Sequence, residues 1–134
     1  KHDRRIGIGT LANPIRRKPD YLDPNIVKVV LDRQNWALYF SRAPIPYPRD
    51  HPRSLPAPAY RHVGIYGYRN DCLQKWVRLP PTRLEQLEQL EQLRALEHGL
   101  KIRVFLTKYE AIGVDMPSDV KKVETILAKR SRAR

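Results

Sequence analysis

Apolar and polar positions along the chain fall into short alternating stretches separated by polar or proline-rich breaks, a pattern that predicts five strands and three helices. The first strand spans residues 6 to about 12 and is ended by Asn13-Pro14, because proline donates no ladder hydrogen bond and biases its predecessor away from helix. A polar loop to Pro24 follows. Ile26–Asp32 and Trp36–Ser41 are β-branched and aromatic runs separated by Arg33-Gln34-Asn35, a spacing that suits a hairpin. Prolines at 44, 46, 48, 52, 56 and 58 then exclude a helix or a sheet centre from Arg42 to Tyr60. That stretch is either a linker or an ordered excursion packed on a partner.

Strand periodicity returns over Arg61–Tyr68, and Arg69–Leu79 reads as a short helix packing Leu73, Trp76 and Val77. Pro80-Pro81 stops it. Thr82-Arg83-Leu84-Glu85 is a capping box, and Gly99 is a natural stop, so one helix is expected between them. Its leucines at 84, 87, 90, 93 and 96 repeat every three residues. At about 100° per residue this row drifts by roughly 60° per step, so several neighbours must cover it. On that continuous wheel Glu91 falls between Leu84 and Leu87, on the apolar side. Lys101–Thr107 is the last strand. Pro117 then suits a first helical position ahead of Val120, Val123, Ile126 and Leu127, which leaves Asp115 just before a helix N-terminus.

Composition narrows the class of protein. The 134 residues are enough for one domain with a core. The single cysteine, Cys72, has no CxxC or Cys/His company, which argues against a disulfide or structural zinc and fits a reducing compartment. The apolar runs are too short to cross a bilayer, so the chain reads as soluble. A formal charge of +12 asks for anionic partners. The densest basic clusters lie near the termini, and neither an RNA-recognition signature nor a basic recognition helix supports a specific nucleic-acid module.

Candidate chemistry gathers between His62 and Arg94. His62 and Tyr66 are an even number apart and so share one face of a strand. Glu91 and Gln92 follow in the leucine-rich segment, where a carboxylate turned inward needs a partner. Gly7-Ile8-Gly9-Thr10 lacks the further glycine and lysine of a phosphate cradle, Ser41 has no evident base, and the four histidines lack metal-ligand spacing.

The segments DPNIVKVVLD, YFSRAPIPYPRD, RHVGIYGYR, LPPTRLEQLEQLEQLRALEHGLKIRV and GVDMPSDVKKV, in this order and spacing, resemble the second half of the 3-deoxy-manno-octulosonate cytidylyltransferases, the CMP-KDO synthetases. The resemblance implies an α/β fold: a mixed sheet with helices packed on it, nucleotidyltransferase-like and partially Rossmann-like, with a protruding hairpin and proline-rich dimerisation arm over residues 26–60. It implies that residues 1–134 are the C-terminal half of one domain, with the sugar-site strand, helices and metal-site turn in 61–130. It further implies transfer of CMP from CTP to the acidic sugar KDO, with Arg42, His62, Tyr66, Glu91 and Gln92 around the sugar. Asp115 would be a ligand of Mg2+, and the enzyme a cytoplasmic homodimer. The family's glycine-containing CTP loop and a further metal-binding aspartate are not in this sequence, which makes the isolated chain an expected poor catalyst. Met116 replaces the threonine common at that helix cap, at an expected cost of about 1 kcal/mol.

Overall fold

The computed structural model describes residues 6–109, together with Val120 and Glu124, which are helical. Asp115, Met116 and the rest of the expected last helix lie outside the described residues. Five strands form one mixed sheet: β1 (Ile8–Pro14), β2 (Lys28–Leu31), β3 (Ala37–Ser41), β4 (Tyr60–Tyr68) and β5 (Ile102–Leu106), in the order β3-β2-β4-β1-β5. β1 pairs in parallel with β5 and antiparallel with β4, while β2 is antiparallel to both β3 and β4.

Four short helices connect them: α1 (Lys18–Leu22), α2 (Asn70–Trp76), α3 (Arg83–Glu88) and α4 (Gln92–Glu97). In the main core, Ile8, Ala12, Val29, Phe40, Ile102 and Val104 from the strands meet Leu90, Leu93 and Ala95. The strand period is therefore set by burial of one face, which is what fixes register.

Several elements depart from the sequence reading. Pro14 does not stop β1 early; it sits at the strand's end opposite Tyr60, where its missing N–H costs least. Asn13 is buried, and its Nδ2 donates to the carbonyls of Thr107 and Tyr109, fastening the exit of β5. The expected loop before Pro24 contains α1, whose start is favoured by a proline in the first turn and by an Arg17–Asp20 ion pair at 2.7 Å. In α2 it is Cys72 and Trp76 that pack on the core, one helical turn apart, while Val77 is 59% exposed.

The hairpin is not separate from the sheet. Lys28 and Val29 of β2 pair with Arg61 and Tyr60 of β4. Its turn is built by Asp32, whose Oδ1 accepts from the N–H groups of Gln34 and Trp36, both at 2.8 Å. The Val104 N–H donates to the Asn35 carbonyl at 2.9 Å, so the sheet curls until the hairpin turn reaches β5. The proline-rich stretch is ordered and packs partly on its own chain: Tyr21 Oη donates to the Pro46 carbonyl at 2.7 Å, and Ile15, Tyr21 and Ala59 form a second small core with Leu55 against it.

The largest departure is at the LEQ repeats. The helix expected to run unbroken to Gly99 stops at Glu88, because Gln89 adopts the left-handed conformation (φ 54°, ψ 51°), and α4 begins three residues later. A continuous helix cannot aim a three-residue leucine row at one core. The elbow re-aims it: Leu90 and Leu93 are buried, and Leu87 is left 69% exposed.

Candidate functional site

A row of aromatic rings crosses the sheet at β4. Phe40 and His62 meet edge-on with centroids 5.0 Å apart, His62 and Tyr66 lie 5.3 Å apart, Tyr66 stacks on Tyr68 at 5.7 Å, and Tyr68 stacks on Trp76 at 5.3 Å. His62 and Tyr66 thus share a face although a bulge interrupts the ladder between them. Thr10 pairs with Tyr66 but Leu11 pairs with Val63, so two extra residues, Gly64 and Ile65, are accommodated and the parity of the strand survives.

Thr10 organises this bulge. Its Oγ1 lies 2.8 Å from the Ile65 carbonyl, 3.1 Å from the Val63 carbonyl and 2.9 Å from His62 Nε2. A hydroxyl has one proton, and the carbonyls can only accept, so His62 Nε2–H must donate to Thr10. That assigns the tautomer. Burial lowers the His62 pKa from 6.5 to about 4, so the ring is neutral at neutral pH and offers hydrogen bonds without positive charge.

Tyr66 and Tyr68 are both pushed up, by burial first, with smaller contributions from neighbours that include the Glu91 carboxylate. Tyr66 Oη is buried with no hydrogen-bond partner among the described residues. Glu91 stands at the N-cap of α4 and is exposed rather than turned inward on a helix wheel, because the elbow at Gln89 removes the continuous helix that placed it there. The next residue, Gln92, is 5% exposed, and no side-chain hydrogen bond holds it among the described residues. Tyr66 Oη, buried without a partner, and the amide of Gln92 are groups equipped to bind hydroxyls.

Arg42 follows β3 and is tied to the elbow. Its Nε–H donates to the Glu88 carbonyl at 2.8 Å, Nη1 to Pro24 at 3.1 Å and Nη2 to Gln89 at 3.4 Å. Its own N–H donates to Glu88 Oε2 at 2.9 Å, while Glu88 Oε1 accepts from Ser41 Oγ at 2.6 Å. Lys28, 0% exposed, donates from Nζ to the carbonyls of Asp23, Ile26 and Arg42 at 2.8, 2.6 and 2.6 Å. Burial lowers its pKa, with Asp23 and Glu88 opposing that shift. Sequence reasoning missed both Lys28 and Glu88. Lys28 looks like a polar position in an apolar strand, and Glu88 belongs to a triplet identical to its neighbours.

The family model described as cytidylyltransferase matches residues 3–102. The chain belongs to the cytidylyltransferase family. Among the curated relatives, a 3-deoxy-manno-octulosonate cytidylyltransferase of Syntrophobacter fumaroxidans is 54% identical over 95% of this chain and 50% of its own length. One of Thermodesulfovibrio yellowstonii is 50% identical over 90% of this chain and 48% of its own. A solved structure of CMP:2-keto-3-deoxy-manno-octonic acid synthetase complexed with CTP superposes with a TM-score of 0.84 at 41% identity, covering 93% of this chain and 50% of that one. The chain therefore spans about half the length of the cytidylyltransferases it matches.

Within this half-length cytidylyltransferase segment, β4 brings His62 and Tyr66 together, and the elbow carries Glu91 and Gln92 at the start of α4. Arg42 is anchored to the same elbow from the opposite side of the sequence. Among the described residues no group of three or more His, Cys, Asp or Glu is arranged to hold a metal ion, and Asp115 lies outside them. No helix among the described residues is long and apolar enough to cross a membrane.

Proposed function

We propose that this chain is the sugar-binding half of a 3-deoxy-manno-octulosonate cytidylyltransferase, which joins CMP from CTP to KDO with release of pyrophosphate. The observation that carries the reading is Tyr66 Oη, buried and without a partner among the described residues, beside which this reading sets the exposed Glu91 carboxylate. A polyhydroxylated ligand supplies what this pair lacks: hydroxyls that both donate and accept. Gln92 adds an amide with both capacities.

The acid group of the sugar is met by Arg42, whose guanidinium keeps N–H groups beyond those spent on carbonyls. Neutral His62 orders the wall of the pocket through Thr10 and leaves Nδ1 as an acceptor. These contacts hold the sugar so that its anomeric oxygen faces the α-phosphate, and orientation of this kind is a major source of acceleration in phosphoryl chemistry. Mg2+ would neutralise phosphate charge; Asp115 supplies the hard carboxylate oxygen such an ion prefers. In this reading CTP is held mainly by the part of the cytidylyltransferase length that this chain does not span.

The hairpin and proline-rich stretch of residues 26–60 form the contact of a homodimer in this reading, with exposed Leu38 and Tyr47 as apolar anchors. A cytoplasmic setting, where CTP is made, suits the free Cys72.

The test joins this chain to the remaining half of the S. fumaroxidans relative and follows pyrophosphate release from CTP and KDO with Mg2+. The chimera turns over and this chain alone does not. Glu91→Gln in the chimera lowers kcat/KM for KDO by about ten- to a hundredfold, the loss of one charge-assisted hydrogen bond. Its melting temperature stays put, because Glu91 is exposed. A fully active Glu91→Gln chimera removes Glu91 from the site.

A further inference from the structure

The Glu88 side chain ties the α3–α4 elbow to the end of β3. Its carboxylate accepts from Ser41 Oγ at 2.6 Å, from the Arg42 N–H at 2.9 Å and, more distantly, from Tyr39 Oη at 3.5 Å. Its carbonyl accepts from Arg42 Nε at 2.8 Å. One residue therefore fixes both the backbone and the guanidinium root of Arg42. The grip is closed from the other side by Lys28 Nζ, which donates to the Arg42 carbonyl at 2.6 Å. Arg42 is thus held at its N–H by an anion and at its C=O by a cation.

The same residue is the last of α3 and precedes left-handed Gln89, so its position is coupled to the elbow from which Glu91 and Gln92 start. We propose that Glu88 is a positioning residue for sugar-acid recognition that acts through Arg42. Recognition of a carboxylate by a guanidinium depends on planar alignment, and a fork fixed beforehand loses less freedom on binding. Glu88 does not touch the ligand; it sets the direction of the group that does. This inference rests on the sugar-site reading.

The test is a double-mutant cycle on the full chain, with KDO binding measured by titration calorimetry and melting temperature measured beside it. Four proteins are compared: wild type, Glu88→Ala, Arg42→Ala and the double variant. Glu88→Ala is expected to weaken KDO binding about tenfold in the wild-type background and less than about twofold when Arg42 is already absent. Its effect on melting temperature is the same in both backgrounds, because the Ser41 contact is lost either way. A purely structural role would give equal weakening with and without Arg42, and that result, or unchanged binding by Glu88→Ala, overturns the proposal. If Glu88→Ala does not fold, Ser41→Ala replaces it, removing the hydroxyl that orients the carboxylate. A loss of about threefold is then expected only with Arg42 present, and an equal loss without Arg42, or no loss with it, is contrary. Absence of KDO binding by the wild-type chain contradicts the sugar-site reading and this inference together; binding by wild type with background-independent losses contradicts this inference alone.

Discussion

His62 Nε2 lies 2.9 Å from Thr10 Oγ1, across a bulge whose two carbonyls already claim the hydroxyl proton. Burial keeps the imidazole neutral, and the hydrogen bond to Thr10 keeps its proton on Nε2. The pH dependence of stability follows directly. In the unfolded chain His62 takes up its proton near pH 6.5, and in the fold near pH 4. Stability from this residue is fully present above the unfolded value, falls as pH drops through the window between the two, and changes no further below the folded value. The full difference is about 3 kcal/mol. Urea denaturation across that range should show the loss in wild type and much less of it in His62→Gln. Glu85, whose carboxyl Arg94 holds low, adds its own loss at more acid pH in both proteins, so the difference between them isolates His62. Parallel curves for the two proteins would show that His62 is charged in the fold or exposed.

Glu85 and Arg94 form a bidentate ion pair that ties α3 to α4 across the elbow, with Arg94 Nε 2.7 Å from Glu85 Oε2 and a second contact from Nη2 to Oε1. Glu85 is 8% exposed, and the Thr82 N–H also donates to its carboxylate at 3.2 Å. Arg94→Met keeps the aliphatic stem but strands the carboxylate. Destabilisation of about 2 kcal/mol is expected from denaturant unfolding, with little recovered by salt because the pair is largely shielded. A change under about 0.5 kcal/mol would mean the pair contributes no more than an exposed one.

The elbow itself is open to test at Gln89. A left-handed residue tolerates glycine and penalises β-branching. Gln89→Val should therefore cost about 1 kcal/mol or more, whereas Gln89→Gly should be neutral or slightly stabilising, the loss of the Gln89 Nε2 to Gln86 carbonyl bond offsetting part of the gain. If valine were harmless and glycine costly, the helix would be continuous through this position as the leucine spacing first suggests.

How much of this was legible in the sequence differs from element to element for physical reasons. The strands were legible because alternation is imposed by the backbone itself, and the shared face of His62 and Tyr66 survived a bulge because two inserted residues preserve parity. The hairpin followed from its spacing, and Asp32 supplies the turn that spacing required. The break at Gln89 was not legible. Each LEQ triplet carries the same local signals, and what selects the second one for the turn is tertiary: Leu90 and Leu93 must reach the core while Glu88 meets Ser41 and Arg42. The burial of Lys28 was hidden for the same reason, since its carbonyl cage closes only when Asp23, Ile26 and Arg42 come together. The missed helix α1 did carry a signal in Pro19, at a position that favours a helix start.

The central claim is that the face built by His62, Tyr66, Glu91 and Gln92 receives an acidic sugar. Aromatic side-chain NMR of this chain, titrated with KDO up to about 10 mM, tests it most directly because it needs no nucleotide half and covers weak binding. The account predicts saturable shifts of the Tyr66, Tyr68 and His62 ring resonances at neutral pH, with the Glu91→Gln chain requiring severalfold more sugar for the same shifts. Ring resonances of the folded chain that stay unmoved throughout the titration would contradict it.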